Sequence, residues 1–288
     1  MISVLIPTYC WNSFPLVEKL HQQLTSECIP FEIIVIDDAS KDQSVLQNKK
    51  ANDLTYTSFE ILSQNIGRSA IRNLLASRAK FPWLLFLDAD VMIQSDFIKN
   101  YISAIENSNS DVINGGMFYM DDIRKGSLRW KFGKKREEIS AIERNNQPFR
   151  YVFTANLLIK KKVLDLVKFD EELLSGYGYE DSLFSLDLSK QNITISHIEN
   201  SIFHLEVDSN KKFIQKVKQG MKNLTRIMKT KDSHLYDIKM LKLYKQNQFI
   251  LNHLFFLSPI FEKMALKTSS LLFFDAFRIT YLAKILRK

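Results

Sequence analysis

The chain has 288 residues, 45% of them hydrophobic and 25% charged, with a formal net charge of +8. That composition excludes a disordered or collagen-like chain, and the length suits one large α/β domain or a domain with an appendage. Two cysteines, Cys10 and Cys28, are too few for a disulfide framework or a metal knuckle and fit an intracellular, reducing location.

With no run of 18 apolar residues, no transmembrane helix is expected, and the start MISVLIPTY, lacking a basic n-region, argues against secretion. The charge is uneven: residues 1–110 carry about −3, residues 111–204 about 0 and residues 205–288 about +11. A basic tail of that kind suits an anionic lipid surface or substrate, or is a solvated helical face.

In chain order, Ile2–Ile6 reads as a buried strand ended by Pro7-Thr8-Tyr9. Leu16, Val17, Leu20 and Leu24 mark a helix, and Phe31–Ile36 is a second strand ending in Asp37-Asp38. Strand, helix and strand in so short a span make a βαβ unit with parallel pairing and a right-handed crossover. Phe59–Leu62 is a third strand, leading through Asn65-Ile66-Gly67 into a helix that carries Arg68 and Arg72 on one face near its start. Two guanidinium groups at a helix N-terminus suit an anion, or are a solvent-facing pair.

Trp83–Leu87 is the fourth strand, bulky and apolar throughout, stopping at Asp88-Ala89-Asp90. Carboxylates at the carboxyl end of such a strand sit where open α/β sheets bind ligands, and extended geometry would point both to one side. Two such oxygen donors suit a hard divalent cation and the diphosphate it carries; the plainer reading is a pair of strand-ending caps.

Beyond this come a helix over 96–105, an extended strand over 111–119 through Gly115-Gly116, and a charged, irregular stretch over 121–150 that reads as a loop or short helices over the sheet. Thr154–Ile159 is a further strand, carrying Asn156. The stretch Ser175-Gly176-Tyr177-Gly178-Tyr179-Glu180-Asp181 then opens a helix. Its alternating glycines and tyrosines make a loop that presents aromatic faces backed by acids, a common seat for a sugar; otherwise the acids only complement the helix dipole. Short strands follow over 193–198 and 201–205, the second carrying His204, which by itself reads as a structural residue. Phe213, Val217, Met221, Leu224 and Met228 mark one stripe of a lysine-rich helix, and residues 236–286 continue as helical segments broken near Ser258-Pro259. Lying on a membrane, packing back on the sheet domain and dimerising all fit this appendage.

Taken together, IPTY at 6–9, IVIDDASKD at 34–42, NIGRSAIRN at 65–73, LFLDADV at 85–91 and GYGYED at 176–181 resemble, in order and spacing, family 2 glycosyltransferases. The GYGYED loop is similar to the Gly-Trp-Gly-Trp-Glu-Asp loop of galactosyl- and N-acetylhexosaminyl-transferring members. The resemblance implies a GT-A fold: a Rossmann-like, mixed and mostly parallel α/β sheet flanked by helices, here with a C-terminal helical appendage. It implies a nucleotide-sugar-binding half over 1–110, an acceptor half over 111–205 and a basic helical extension over 206–288. By motif, Pro7, Thr8 and Tyr9 would line the nucleoside pocket and Asp38 would hold the uracil edge, with Arg68 and Arg72 the expected anion-binding pair of the bound nucleotide-sugar. Asp88 would reach the ribose or the metal, and Asp90, with His204, would ligate Mn²⁺ or Mg²⁺.

The expected function is inverting, non-processive transfer from a UDP-sugar to a hydroxyl of a glycan or lipid-linked acceptor. Inversion needs one base and a stabilised diphosphate leaving group, with no covalent nucleophile. The family pattern favours Asp181 as base and Glu180 as a sugar ligand. Tyr177, Tyr179 and Asn156 are the expected substrate contacts. Leu128-Arg129-Trp130 lacks the glutamine of a processive synthase motif. A sugar-phosphate nucleotidyltransferase would need a glycine-rich loop where the chain reads PTYCWNS, and a non-catalytic nucleotide- or glycan-binding module would not need its full set of acids. No nucleic-acid motif accompanies the lysine-rich helices. A cytoplasmic enzyme at the inner membrane face is therefore expected, with homodimerisation open.

Overall fold

The computed structural model describes residues 1–173, 176–229 and 239–287; Ser175 and the expected helical residues 236–238 lie outside them. The first half alternates strand and helix: β1 (Ile2–Thr8), α1 (Phe14–Ser26), β2 (Phe31–Asp37), α2 (Ser44–Asn48), β3 (Thr57–Ile61), α3 (Arg68–Arg78) and β4 (Trp83–Leu87). The chain then turns at Ala89-Asp90 into the two-residue β5 (Val91–Met92), so Asp88 and Asp90 sit on a turn and not along an extended strand. The chain continues with α4 (Phe97–Asn107), β6 (Val112–Asn114), β7 (Met117–Tyr119), α5 (Leu128–Arg136), α6 (Ala141–Asn146), β8 (Asn156–Lys160) and α7 (Lys161–Leu166). Then come α8 (Glu180–Lys190), β9 (Ile195–His197), β10 (Ile202–His204) and the C-terminal helices α9 (Asn210–Lys229), α10 (Lys239–Gln246), α11 (Gln248–Leu254), α12 (Ser258–Thr268) and α13 (Leu271–Leu286).

Seven strands form the central sheet in the order β3-β2-β1-β4-β8-β6-β9, and β8 runs antiparallel to both its neighbours in an otherwise parallel sheet. The continuous apolar runs follow from burial on both faces. Val4, Ile6, Ile33, Val35, Leu85 and Leu87 pack towards α1 and α4, while Leu5, Ile34, Ile36, Leu84 and Phe86 pack towards α3, α7 and α8. This is the mixed, mostly parallel α/β architecture expected, with the carboxyl ends of β1, β2 and β4 opening together on one edge.

The strand expected over 111–119 is two strands in two sheets. β6 stays in the central sheet, whereas β7 joins a three-stranded sheet with β10 and β5. The glycines between them explain the switch. A side chain on Gly115 would meet Asn156 Nδ2 and the Asn200 carbonyl at 2.4 Å, and Gly116 adopts φ +82°. The stretch read as a loop or short helices holds two short helices, α5 and α6, each with a serine N-cap, Ser127 accepting from Trp130 N–H and Ser140 from Glu143 N–H.

The C-terminal helices pack back on α5: Leu128 lies in one apolar cluster with Phe213, Ile214, Ala265, Phe274 and Phe277, and Arg136 pairs with Asp275. One helical run among the described residues meets the length and composition of a membrane-crossing helix, and nothing in the fold shows that it crosses one. The helical run Gln248–Thr268 is long and apolar enough by length and composition, with only 17% of its most apolar window buried. Asn252, Lys263 and a few other polar residues interrupt that run, which hid it from a search for unbroken apolar sequence.

Candidate functional site at the carboxyl edge of the sheet

The end of β2 fixes the start of α3. Asp38 accepts from the backbone N–H of Ile66 at 2.7 Å and of Gly67 at 3.0 Å, and Gly67 adopts φ +87°, the left-handed region that suits glycine. That anchor aims the first turn of α3 at the end of β4. Arg72, almost fully buried, donates to Asp88 at 2.9 Å and lies over the Phe169 ring. Burial opposes ionisation of Asp88, but the Arg72 and Arg68 charges outweigh it and hold the carboxyl below its ordinary value.

The turn after β4 is pinned on both sides. Asp88 N–H donates to the Ala155 carbonyl at 3.2 Å, and Leu205 N–H donates to the Asp90 carbonyl at 2.9 Å, bringing the end of β10 alongside. Among the described residues Asp90 forms no ion pair. Burial pushes its carboxyl above the ordinary value and the Asp88 charge adds to this, against the pull of His204. His204 stacks on Tyr119, with ring centroids 5.3 Å apart. The described residues contain no group of three or more His, Cys, Asp or Glu side chains arranged to hold a metal unaided.

Across the cleft, Tyr179 adopts φ +72° and leads into α8. Glu180 accepts from Gly178 N–H at 2.8 Å and pairs with Arg68 at 3.6 Å, joining the first turn of α8 to that of α3. Asp181 accepts from the Thr154 hydroxyl at 2.6 Å. Burial, followed by the Glu180 charge, raises the Asp181 carboxyl to about 6 against the pull of Arg72 and the Thr154 bond. Arg68 and Lys216 both lie 5.1 Å from the Tyr177 ring centroid, so the aromatic face of that loop sits between α3 and α9.

The expected residues are not all brought together. Arg68, Arg72, Asp88, Tyr177, Glu180 and Asp181 converge, with Asp90 and His204 beside them. Thr8 is buried, its hydroxyl donating to the Trp11 carbonyl, while Pro7 is half-buried and Tyr9 exposed on the adjoining rim. Tyr179 packs against α9 and the C-terminal helices in place of the cleft. Asn156 is fully buried, accepting from Tyr101 hydroxyl at 2.6 Å and donating to the carbonyls of Gly116 and Asn200, which makes it a core residue.

Two features escaped the sequence reading. Asp37 is buried at the end of β2, with Oδ1 accepting from Ser40 N–H and Oδ2 lacking a partner among the described residues. Arg129 and Glu137, both from the charged stretch over 121–150, pair at 2.8 Å, and both bond the Tyr119 hydroxyl behind His204. Their spacing of eight residues, near two helical turns, was the available signal.

The model of "Glycosyl transferase family 2" matches residues 3–166, more than half of the chain, and the chain belongs to that family. It is 27% identical over 191 residues to poly(ribitol-phosphate) beta-N-acetylglucosaminyltransferase TarS of Staphylococcus aureus, an alignment covering 64% of this chain and 31% of the relative. The chain thus spans about a third of that relative's length. Its fold is similar to that of S. aureus TarS 1–349 in complex with UDP-GlcNAc (TM-score 0.52, 21% identity, covering 99% of this chain and 91% of the other). It is also similar to mannosyltransferase PcManGT from Pyrobaculum calidifontis in complex with GDP-Man and Mn²⁺ (TM-score 0.59, 13% identity, covering 99% and 86%).

Proposed function

We propose that this chain transfers one sugar at a time, with inversion, from a UDP-linked donor to a hydroxyl of a glycan or lipid-linked acceptor. The observation that carries this reading is the convergence of Arg68, Arg72, Asp88, Glu180 and Asp181 where β1 and β4 end and α3 and α8 begin. The UDP-GlcNAc complex of TarS supports the donor class, and the GDP-Man and Mn²⁺ complex of PcManGT supports a metal-bound diphosphate.

The donor set fits a hard divalent cation. Asp90 carries a charge that burial and Asp88 disfavour and that no ion pair among the described residues neutralises. Asp90, with Asp88 and His204 beside it, would hold Mn²⁺ or Mg²⁺ only together with the donor diphosphate, since among the described residues the three side chains form no metal site on their own. When bound, the ion supplies Lewis-acid stabilisation of the departing diphosphate.

The chain's own residues perform the rest. Arg72 orients Asp88, and Arg68, nearly half exposed, is available to the diphosphate oxygens. Asp181, with its carboxyl raised to about 6, is ionised at neutral pH yet basic enough to take the acceptor hydroxyl's proton. Thr154 orients that carboxylate, and Glu180 is placed to accept from a sugar hydroxyl as charge develops on the anomeric carbon. The division into a transferase unit over 1–205 and a basic extension over 206–288 is part of the same reading, with α9 closing the acceptor side of the cleft.

A screen of UDP-sugars for turnover, with Asp181→Asn as control, tests the proposal. Release of UDP dependent on an acceptor and lost in the variant is expected. Turnover undiminished in Asp181→Asn would remove the base from the scheme.

A further inference from the structure

The C-terminal helices carry a face that the transferase site does not use. Leu251, Ser258 and Ala265, two helical turns apart in succession, point inward, Leu251 and Ala265 within the apolar clusters that α13 shares. On the other side Phe249 is 80% exposed, Phe256 60% and Ile260 53%, at spacings of seven and four that keep them on one stripe. Ile250 and Leu254, on α11 with Phe249, are exposed as well. Lys263 and Lys267, both exposed, continue the stripe towards the end of α12. Between residues 239 and 272 the one acid is Glu262, which is turned towards Lys218 of α9 and paired with it at 2.6 Å.

Large apolar side chains clustered on a surface mark an interaction site, and a basic rim selects the partner's charge. We propose that this face docks on an anionic lipid surface, with α11 and α12 lying in the plane of the interface. The aromatic and aliphatic stripe would enter the headgroup–acyl boundary while Lys263 and Lys267 reach the lipid phosphates. A second copy of the chain is disfavoured as occupant, because pairing two such faces would oppose lysines to lysines. Spanning is disfavoured too. It would strip Leu251 and Ala265 from their packing and carry Glu262 away from Lys218 into hydrocarbon. Lipid docking of this face does not depend on the transfer reaction of the cleft.

Flotation of the full chain with vesicles tests this, comparing phosphatidylcholine alone with phosphatidylcholine carrying about 30% phosphatidylglycerol. The chain should float with the anionic vesicles only and be released by high salt or alkaline carbonate. Phe249→Gln/Phe256→Gln/Ile260→Gln should lower the bound fraction roughly tenfold or more, with an unchanged unfolding midpoint because all three side chains are mostly exposed. Lys263→Gln/Lys267→Gln should leave weaker binding with a flatter salt dependence. No flotation of the wild type, equal flotation of the triple variant, or resistance to carbonate would each overturn the proposal. So would a wild-type dimer that the triple variant dissociates while neither binds vesicles.

Discussion

Asn223, in the middle of α9 and fully buried, donates its side-chain amide to the carbonyl of Gly178 at 3.0 Å. That bond ties the glycine-tyrosine loop of the cleft to the C-terminal helices. The close approach is built from glycine on both sides, since a side chain on Gly178 would come within 3.0 Å of the Gly220 Cα. Asn223→Leu should therefore leave carbonyls of the loop unsatisfied and destabilise the chain by roughly 1–3 kcal/mol. The acceptor KM should rise while UDP affinity, which the proposed function assigns to the β1, β2 and β4 ends, stays unchanged. Thermal unfolding, calorimetry and acceptor titration separate these effects, and equal loss of UDP affinity would show that the loop is not confined to the acceptor side.

Arg72 should prove both structural and functional. Its guanidinium is almost entirely buried, and Asp88 keeps a quarter of its side chain exposed. Arg72→Met should cost roughly 2–4 kcal/mol, discounted from the fully buried case by that exposure. It should also weaken UDP binding, because Asp88 loses its orienting partner. Arg72→Lys should recover less than half of the stability, since one ammonium cannot both bond Asp88 and spread over Phe169.

The acid limb of the pH–rate profile should report Asp181. With its carboxyl raised to about 6, kcat/KM should climb with pH through that value and level off above it. Thr154→Val removes a hydrogen bond that favours the carboxylate and should move the limb upward. The same group weakens the fold. The unfolded chain releases this proton near the ordinary value of 3.8 and the folded chain holds it to about 6, so stability falls as pH rises across that window. Asp181→Asn should accordingly raise the unfolding midpoint at neutral pH by roughly 2–4 °C while abolishing transfer. A lower midpoint would show that the carboxylate is stabilising.

Gly133 offers a test of the buried support behind His204. A side chain there would meet the Tyr119 ring at 2.4 Å, so Gly133→Ala should displace Tyr119 from Glu137 and from its stack on His204. The expected result is weaker metal-dependent UDP binding without loss of metal-free binding. If both fall together, the change has unfolded α5 and not repositioned His204.

The parallel half of the sheet was legible because both faces of β1, β2 and β4 are buried, which writes each strand as an unbroken apolar run. The ends of those strands were legible for the same reason, since carboxylates interrupt such runs abruptly at Asp37 and Asp88. Residues whose placement depends on tertiary contact were not. Tyr177 and Tyr179 look equivalent in sequence, but the φ of +72° at Tyr179 turns its ring into the α9 interface and leaves Tyr177 beside Arg68. Asn156 reads as a polar residue near a site, yet the Gly115-Gly116 crossing needs its amide in the core. Arg129 and Glu137 were hidden because the basic run around them masks the weak apolar stripe of α5.

The most direct measurement of the central claim is calorimetric binding of UDP with and without Mn²⁺, to the wild-type chain and to Asp90→Asn. The account predicts that Mn²⁺ strengthens UDP binding to the wild type and that the substitution removes this gain without lowering the unfolding midpoint. UDP binding that ignores Mn²⁺, or a metal-dependent gain that survives Asp90→Asn, would contradict it.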